Sequence, residues 1–317
     1  MDSSFLVEEK DRETRIIAQL QKELAIPMDR LKATIQLLDE GNTVPFIARY
    51  RKEVTGALNE EAIRTIQERL NYLRQLYARK LEVLRLIDEQ GKLTEELAAN
   101  IMNAQKLQEV EDYYRPFRPK RRTKATVAKE KGLQPLAEAL LRMENTEPET
   151  LAQPFVSEDK EVHSVEEALQ GAMDIIAELV SDDAEARKWI RELTFKHGQI
   201  VSQVKNEAAD EKKVYAMYYE YKEAVAKIVP HRILAINRGE REEILKVNIE
   251  APEERIIERL KRQWIKEARS PSVPYVEQAI EDSYKRLIAP SIEREVRREL
   301  TEKAEEQAIH IFSENLR

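Results

Sequence analysis

Four histidines, His163, His197, His231 and His310, have the widest chemical reach in this sequence, and no two lie within five positions of each other. A helical metal site needs them three to five apart, so no metal cluster is expected. There is no cysteine, which removes disulfides, thiolate zinc sites, iron–sulfur ligation and a cysteine nucleophile together. Carboxylates are plentiful but spread over what read as helix surfaces, so no acid–base pair stands out. The 7 glycines form no Gly-x-Ser-x-Gly, no phosphate-binding loop and no Gly-x-Gly-x-x-Gly. The expectation is a chain that is not an enzyme and holds neither metal nor cofactor.

The grouping that stands out is positive. Between Arg115 and Lys131 lie Arg115, Arg118, Lys120, Arg121, Arg122, Lys124, Lys129 and Lys131 against Glu130 alone, in a chain of net charge −7. One reading is a phosphate-contacting loop held open by Pro116 and Pro119, with Tyr113, Tyr114 and Phe117 stacking on bases or anchoring it. The other is that these cations pair with acidic helices of the same chain. A second group, Arg49, Arg51 and Lys52, falls on a short helix whose buried side is expected from Phe46, Ile47 and Tyr50. Its cations either face a nucleic-acid groove or form an ordinary surface beside Glu53. Arg238 and Arg241 are a third and weaker candidate, because Glu240, Glu242 and Glu243 surround them.

The elements that must position these residues read mostly as helices. Ile16, Ile17, Leu20 and Leu24 mark a first helix stopped by Pro27, and Leu31, Ile35 and Leu38 a second one punctuated by Gly41. Thr43 caps a third, with Pro45 in its first turn, ending at Gly56. Three short helices joined by tight turns describe a helix-turn-helix-like unit. Asn59 opens a long helix whose apolar residues from Ile63 to Ile87 keep a three-four repeat, with Lys80 as the polar intruder. Thr94 opens the next, and a shorter one closes at Pro116. Helical spacing resumes near Leu133, residues 144–164 read as loop broken by one short helix, and two helices fill 165–193. Residues 232–250 read as a β-hairpin, two β-branched runs flanking a turn at Asn237-Arg238-Gly239-Glu240. Pro252 starts a further helix, Pro271 and Pro274 frame a turn, and Pro290 interrupts the next helical run. The last helix, from Ser291, ends its apolar face on Phe312 and Leu316 with no stop signal, as in a chain whose natural continuation packs there.

The length of 317 residues exceeds what one core usually fills. Hydrophobic residues at 42% and charged residues at 36% suit a helix-rich chain with a well-solvated surface. The fold class expected is mainly α, with a helix-turn-helix-like N-terminal unit, a long helix and one small β-hairpin. The divisions expected are 1–114, 115–230 and 231–317. Phe5 to Val7 is too short an apolar run for a signal segment, and no run approaches the length of a membrane span. A cytoplasmic location without membrane contact follows.

The wording of several segments carries more than their periodicity. Thr43 to Gly56 (TVPFIARYRKEVTG), Asp112 to Thr123 (DYYRPFRPKRRT), His231 to Gly239 (HRILAINRG) and Ala268 to Ile292 (ARSPSVPYVEQAIEDSYKRLIAPSI) resemble, in order, the N-terminal region of the Tex family of bacterial transcription accessory proteins. The resemblance implies a chain that would continue into a ribonuclease-H-like domain of the YqgF type, helix-hairpin-helix modules and an S1 RNA-binding domain. It also implies similarity to the core of the eukaryotic elongation factor Spt6, nucleic-acid binding and a role in transcription. Two functional expectations stand. One is a scaffold whose Arg49, Arg51, Lys52, Arg115, Arg118, Lys120, Arg121, Arg122 and Lys124 make sequence-independent phosphate contacts with RNA or DNA. The other is a helical interaction module whose long helix and last helix dock on RNA polymerase or ribosomal partners.

Overall fold

A computed structural model describes residues 9–315, with side chains for 11–311. Phe5 to Val7, the Phe312 side chain and Leu316 lie outside the described residues. The chain is mainly α with a small three-stranded sheet, in two compact units, Met1–Phe117 and Arg118–Arg317.

The first unit is built around the helix Glu60–Glu89, about 45 Å long at 1.5 Å per residue. The Asn59 side chain accepts from the Ala62 N–H at 2.8 Å, and Glu60 and Glu61 sit in the first turn, where the helix dipole favours them. The buried stripe keeps the expected Ile63, Ile66, Leu70, Leu73, Leu76, Leu84 and Ile87 and adds Val83, while Tyr77 and Leu81 are half-buried. The helices Glu9–Leu24 and Met28–Asp39 lay Ile16, Leu20, Leu31 and Ile35 against it, and Glu95–Asn103 and Leu107–Tyr114 close the far end. Arg74 ties the first two helices to the long one through Glu13 and Asp39. Arg79 does the same for Glu111, its Nε at 2.6 Å.

Lys80, the intruder in the apolar stripe, is 2% exposed. Its Nζ donates to the Met102 carbonyl at 2.7 Å and lies 4.9 Å from the centre of the Tyr77 ring. Burial pushes its ammonium down to about 8, with Glu109 opposing. The unfolded chain therefore binds more protons than the folded one between about pH 8 and 10.5, and stability attributable to Lys80 rises across that window. In urea unfolding at pH 7, 8, 9 and 10, the unchanged protein is expected to gain about 1 to 3 kcal/mol on Lys80→Met between pH 8 and 10. Parallel pH curves for the two would show that the ammonium is not desolvated.

The segment expected as one helix ending at Gly56 is two, Val44–Tyr50 and Lys52–Thr55, broken at Arg51 with φ −129° and ψ 30°. Thr43 holds the cap position without a side-chain bond. Gly56 ends the pair in the left-handed region at φ 67°, which glycine adopts without a Cβ clash.

The second unit packs the helices Lys124–Glu130, Gln134–Arg142, Val165–Ser181, Ala184–His197, Glu253–Trp264 and Val273–Asp282 around one core centred on Ala172, Ile176 and Val180. A second, smaller core carries the sheet β1 (Gln199–Val204), β2 (Glu220–Ala224) and β3 (Leu245–Glu250), in the order β2-β1-β3 and antiparallel throughout.

The hairpin expected at 232–250 is corrected here. β3 is present, with Leu245, Val247 and Ile249 buried as the alternation predicts, but its partner is β1, Val204 facing Leu245 and Gln199 facing Glu250. Residues Pro230–Arg241 are a helix. Its β-branched residues Ile233 and Ile236 stand three apart and share a buried face with Gly239, and Pro230 sits where a helix tolerates it. Gly239 is not a turn residue; a Cβ there would meet Leu245 Cδ1 at 2.5 Å, so glycine lets the helix lie close on the sheet.

The helix break at Pro290 is corrected too. Val273–Asp282 runs through a widened π-helical turn, Ser283–Ile288, into Ala289–Asn315. The wider turn takes up the clash and the missing N–H that proline would bring to a regular helix. Pro271 and Ser272 form the expected turn, and Pro274 lies in the first turn of the helix that follows it.

Candidate nucleic-acid interface

In the first unit, Val44 and Ile47 are buried with Ile63 of the long helix, and this small core fixes the orientation of the two short helices. The opposite side carries Arg49 and Lys52, both exposed, and Arg51, half-buried. Phe46 and Tyr50, one helical turn apart, stack with ring centres 5.3 Å apart and planes at 46°. The Arg51 guanidinium lies 5.2 Å from the centre of the Phe46 ring, and the Arg49 guanidinium 6.0 Å from that of Tyr50. Arg51 also donates to the Tyr50 carbonyl at 3.1 Å. Among the described residues none of Arg49, Arg51 and Lys52 forms an ion pair with a carboxylate. Tyr50, expected on the buried side, is 56% exposed. Ile47 alone fulfils that expectation completely, and Phe46 is half-buried. The result is a cation–aromatic cluster open to solvent, which suits phosphate contact and base stacking alike.

The cations from 115 to 131 are treated differently by the fold. Arg115 belongs to the first unit, where Tyr114 is buried and Phe117 packs on the core, so these two rings anchor the chain rather than await bases. In the second unit Lys120 forms ion pairs with Asp182 and with Glu178, the latter at 3.5 Å. Lys129 reaches the other oxygen of Glu178 at 3.5 Å, Arg122 meets Glu130 at 3.3 Å, and Lys131 donates to the Glu161 carbonyl at 2.9 Å. Residues Lys124–Glu130 are a helix, not loop; Thr123 caps it by accepting from the Thr126 N–H and reaches Glu178 as well. Arg118, Arg121 and Lys124 are exposed, and among the described residues Arg121 and Lys124 lie beyond ion-pair distance of any carboxylate. Burial raises the Asp174 carboxyl, while Lys124 and Arg286 pull it back.

Glu178 and Asp182 are the residues that the sequence reading left out. They stand at the C-terminal end of Val165–Ser181, where the helix dipole disfavours anions, so a cation partner is to be expected there. The Arg238 and Arg241 candidate now lies in the last turn of a helix, with Arg238 on Glu242 at 2.9 Å.

Comparison with known proteins shows which family the chain is similar to. Residues 14–88 match the family described as Tex-like protein N-terminal domain, and residues 143–312 match Tex central region-like. The chain is 55% identical over 301 residues to uncharacterized protein YdcI of Bacillus subtilis, covering 94% of this chain and 42% of that protein. It is 37% identical over 309 residues to the transcriptional accessory protein Tex of Neisseria gonorrhoeae, covering 96% and 40%. With the human S1 RNA-binding domain-containing protein 1 the identity is 30% over 297 residues, covering 89% and 30%. The chain thus spans about two fifths of the length of the bacterial relatives.

Proposed function

The chain belongs to the Tex family, and from that premise we propose that it is a nucleic-acid-binding scaffold of the transcription machinery rather than an enzyme, acting in the cytoplasm. Its contacts are sequence-independent and electrostatic, centred on Arg49, Arg51 and Lys52 with Tyr50 and Phe46 as a stacking platform. The observation that carries this reading is the absence of any carboxylate partner for these three cations among the described residues, in a chain with more acids than bases. Arg121 and Lys124 form a separate candidate contact on the second unit. Arg115 on the first unit, and Arg118, Lys120 and Arg122 on the second, are further candidates; Lys120 and Arg122 contribute by exchanging a carboxylate for a phosphate, and Arg115 and Arg118 are already engaged within the chain. The names of the relatives, a transcriptional accessory protein and an S1 RNA-binding domain-containing protein, support the same class.

Fluorescence anisotropy with labelled single-stranded RNA, single-stranded DNA and duplex DNA tests it. With three to five phosphates neutralised, log K against log salt is expected to fall with a slope of about −2 to −3.5 on single strands. No binding at low salt, or binding indifferent to salt, would overturn it.

A second reading, docking on a protein partner such as RNA polymerase or a ribosomal protein, is favoured by one observation. The loop between β1 and β2 is held by Asp210, whose carboxylate accepts from the Val214 and Tyr215 N–H groups and the Tyr219 hydroxyl at 2.8 to 2.9 Å. It presents Val214, 64% exposed, and Met217 beside it to solvent. A partner that stays bound after nuclease treatment and leaves on Val214→Glu would support this reading over the first.

A further inference from the structure

In the second unit the end of β3, the first turn of Glu253–Trp264, the helix Ala184–His197 and the widened turn Ser283–Ile288 enclose a cavity of about 450 Å³. Tyr284, as a whole residue only 3% exposed, lines it. Among the described residues the Tyr284 hydroxyl bonds to no protein group, and it is open to solvent from the cavity rather than sealed in the core.

The groups that share this space are mostly anionic. Glu250, Glu253 and Glu293 line it against one ammonium, Lys285, which stands 3.7 Å from Glu253. Glu250 is already engaged by Lys222. Glu293 accepts from the Ile249 N–H with Oε1 at 2.9 Å, which fixes the carboxylate while Oε2 makes no protein hydrogen bond among the described residues. Burial, with Glu253 and Glu293 nearby, pushes the Tyr284 phenol up to about 12, so the hydroxyl stays neutral and can accept as well as donate. Ile249 and Ile292 supply apolar wall. The turn that sets Tyr284 in place is a π-helical one, a departure from regular helix that proteins often retain at binding sites.

We infer that this cavity is a binding site for an alkylammonium group, whose N–H donors meet the Tyr284 hydroxyl and the Glu293 and Glu253 carboxylates while its methylenes lie on Ile249 and Ile292. With Glu250 paired to Lys222 and Glu253 to Lys285, Glu293 is the carboxylate without a counter-charge, which a cation supplies and a neutral alcohol does not. The group comes either from a free polyamine or from a lysine side chain of another polypeptide.

Isothermal titration of the intact chain with butylamine, spermidine, 1-butanol and an acetylated, amidated pentapeptide with one central lysine distinguishes the cases. The expected result is saturable one-site binding of butylamine with no binding of 1-butanol. Tyr284→Phe is expected to weaken it by about five- to tenfold, as loss of one hydrogen bond to a charged donor should, with an unchanged melting temperature in the absence of amine. Glu253→Gln, on an exposed residue, is the second arm should Tyr284→Phe fold poorly, and is expected to weaken binding as well. Tighter binding of spermidine than of the peptide identifies a free polyamine as the source, and the reverse identifies a lysine side chain. No saturable binding by any amine, equal binding of 1-butanol, or affinity unaltered in both variants would overturn the inference.

Discussion

Replacing Arg49, Arg51 and Lys52 together by glutamate is expected to lower the affinity for single-stranded RNA by about a hundredfold at 0.1 M salt. Each phosphate contact contributes about 0.7 to the slope of log K against log salt, so three lost contacts remove about 2 from the slope. The same three contacts account for about two decades of affinity at that ionic strength. None of the three side chains holds a carboxylate or supports the core, so the melting temperature is expected to stay put. Tyr50→Ala is expected to add a salt-independent loss of about 1 to 3 kcal/mol if a base stacks on the exposed ring, and Tyr50→Phe to restore it. A triple variant that binds with the original slope would move the interface elsewhere, to Arg121 and Lys124 in the first instance.

The second large effect is on stability. Arg187 is 1% exposed and joins three helices of the second unit. It donates to the Ser181 carbonyl at 2.9 Å at the end of Val165–Ser181, to the Ser291 hydroxyl, and sits 3.6 Å from Glu295 of the last helix. Arg191 reaches the other oxygen of Glu295 at 2.9 Å. Arg187→Ala is expected to destabilise this unit by about 3 to 5 kcal/mol, because it leaves a carbonyl and a carboxylate buried with fewer donors and opens a void. Arg187→Lys is expected to recover only part, since an ammonium does not reach three acceptors with a planar fork. Urea unfolding followed by circular dichroism measures this. A loss under 1 kcal/mol for Arg187→Ala would mean that the network is solvated and contributes little.

Much of the first unit was legible because its signals are local. Asn59, Thr94 and Gly91 mark helix ends by backbone chemistry alone, and the stripe from Ile63 to Ile87 is a matter of spacing. The sheet was not, for two reasons. β-branched residues at 233 and 236 suggested a strand, whereas their three-residue spacing after Pro230 serves a helix packed on Leu245. β1 and β2 are short, and β1 draws its identity from two flanking partners distant in sequence, a relation that no local pattern states. The candidate interface divides in the same way. That the cations at 49, 51 and 52 lie together in one short stretch could be read from the chain, but not the break at Arg51 that divides it into two helices. That Tyr50 turns outward, and that Glu178 and Asp182 come to meet Lys120 from about sixty positions away, depends on tertiary packing.

The widened turn before Pro290 also governs how the last helix can vary. Val276, Ile280, Tyr284, Ile288, Ile292 and Val296 are buried at intervals of four residues, a spacing that creeps around a regular helix. The extra residue in Ser283–Ile288 resets that creep midway, so the apolar teeth after it still mesh with the same neighbours. Losing a single residue from that turn would swing every later side chain by about 100° and set Ile292 and Val296 grinding against water. Side chains along this rod are individually exchangeable, while its length in residues is not.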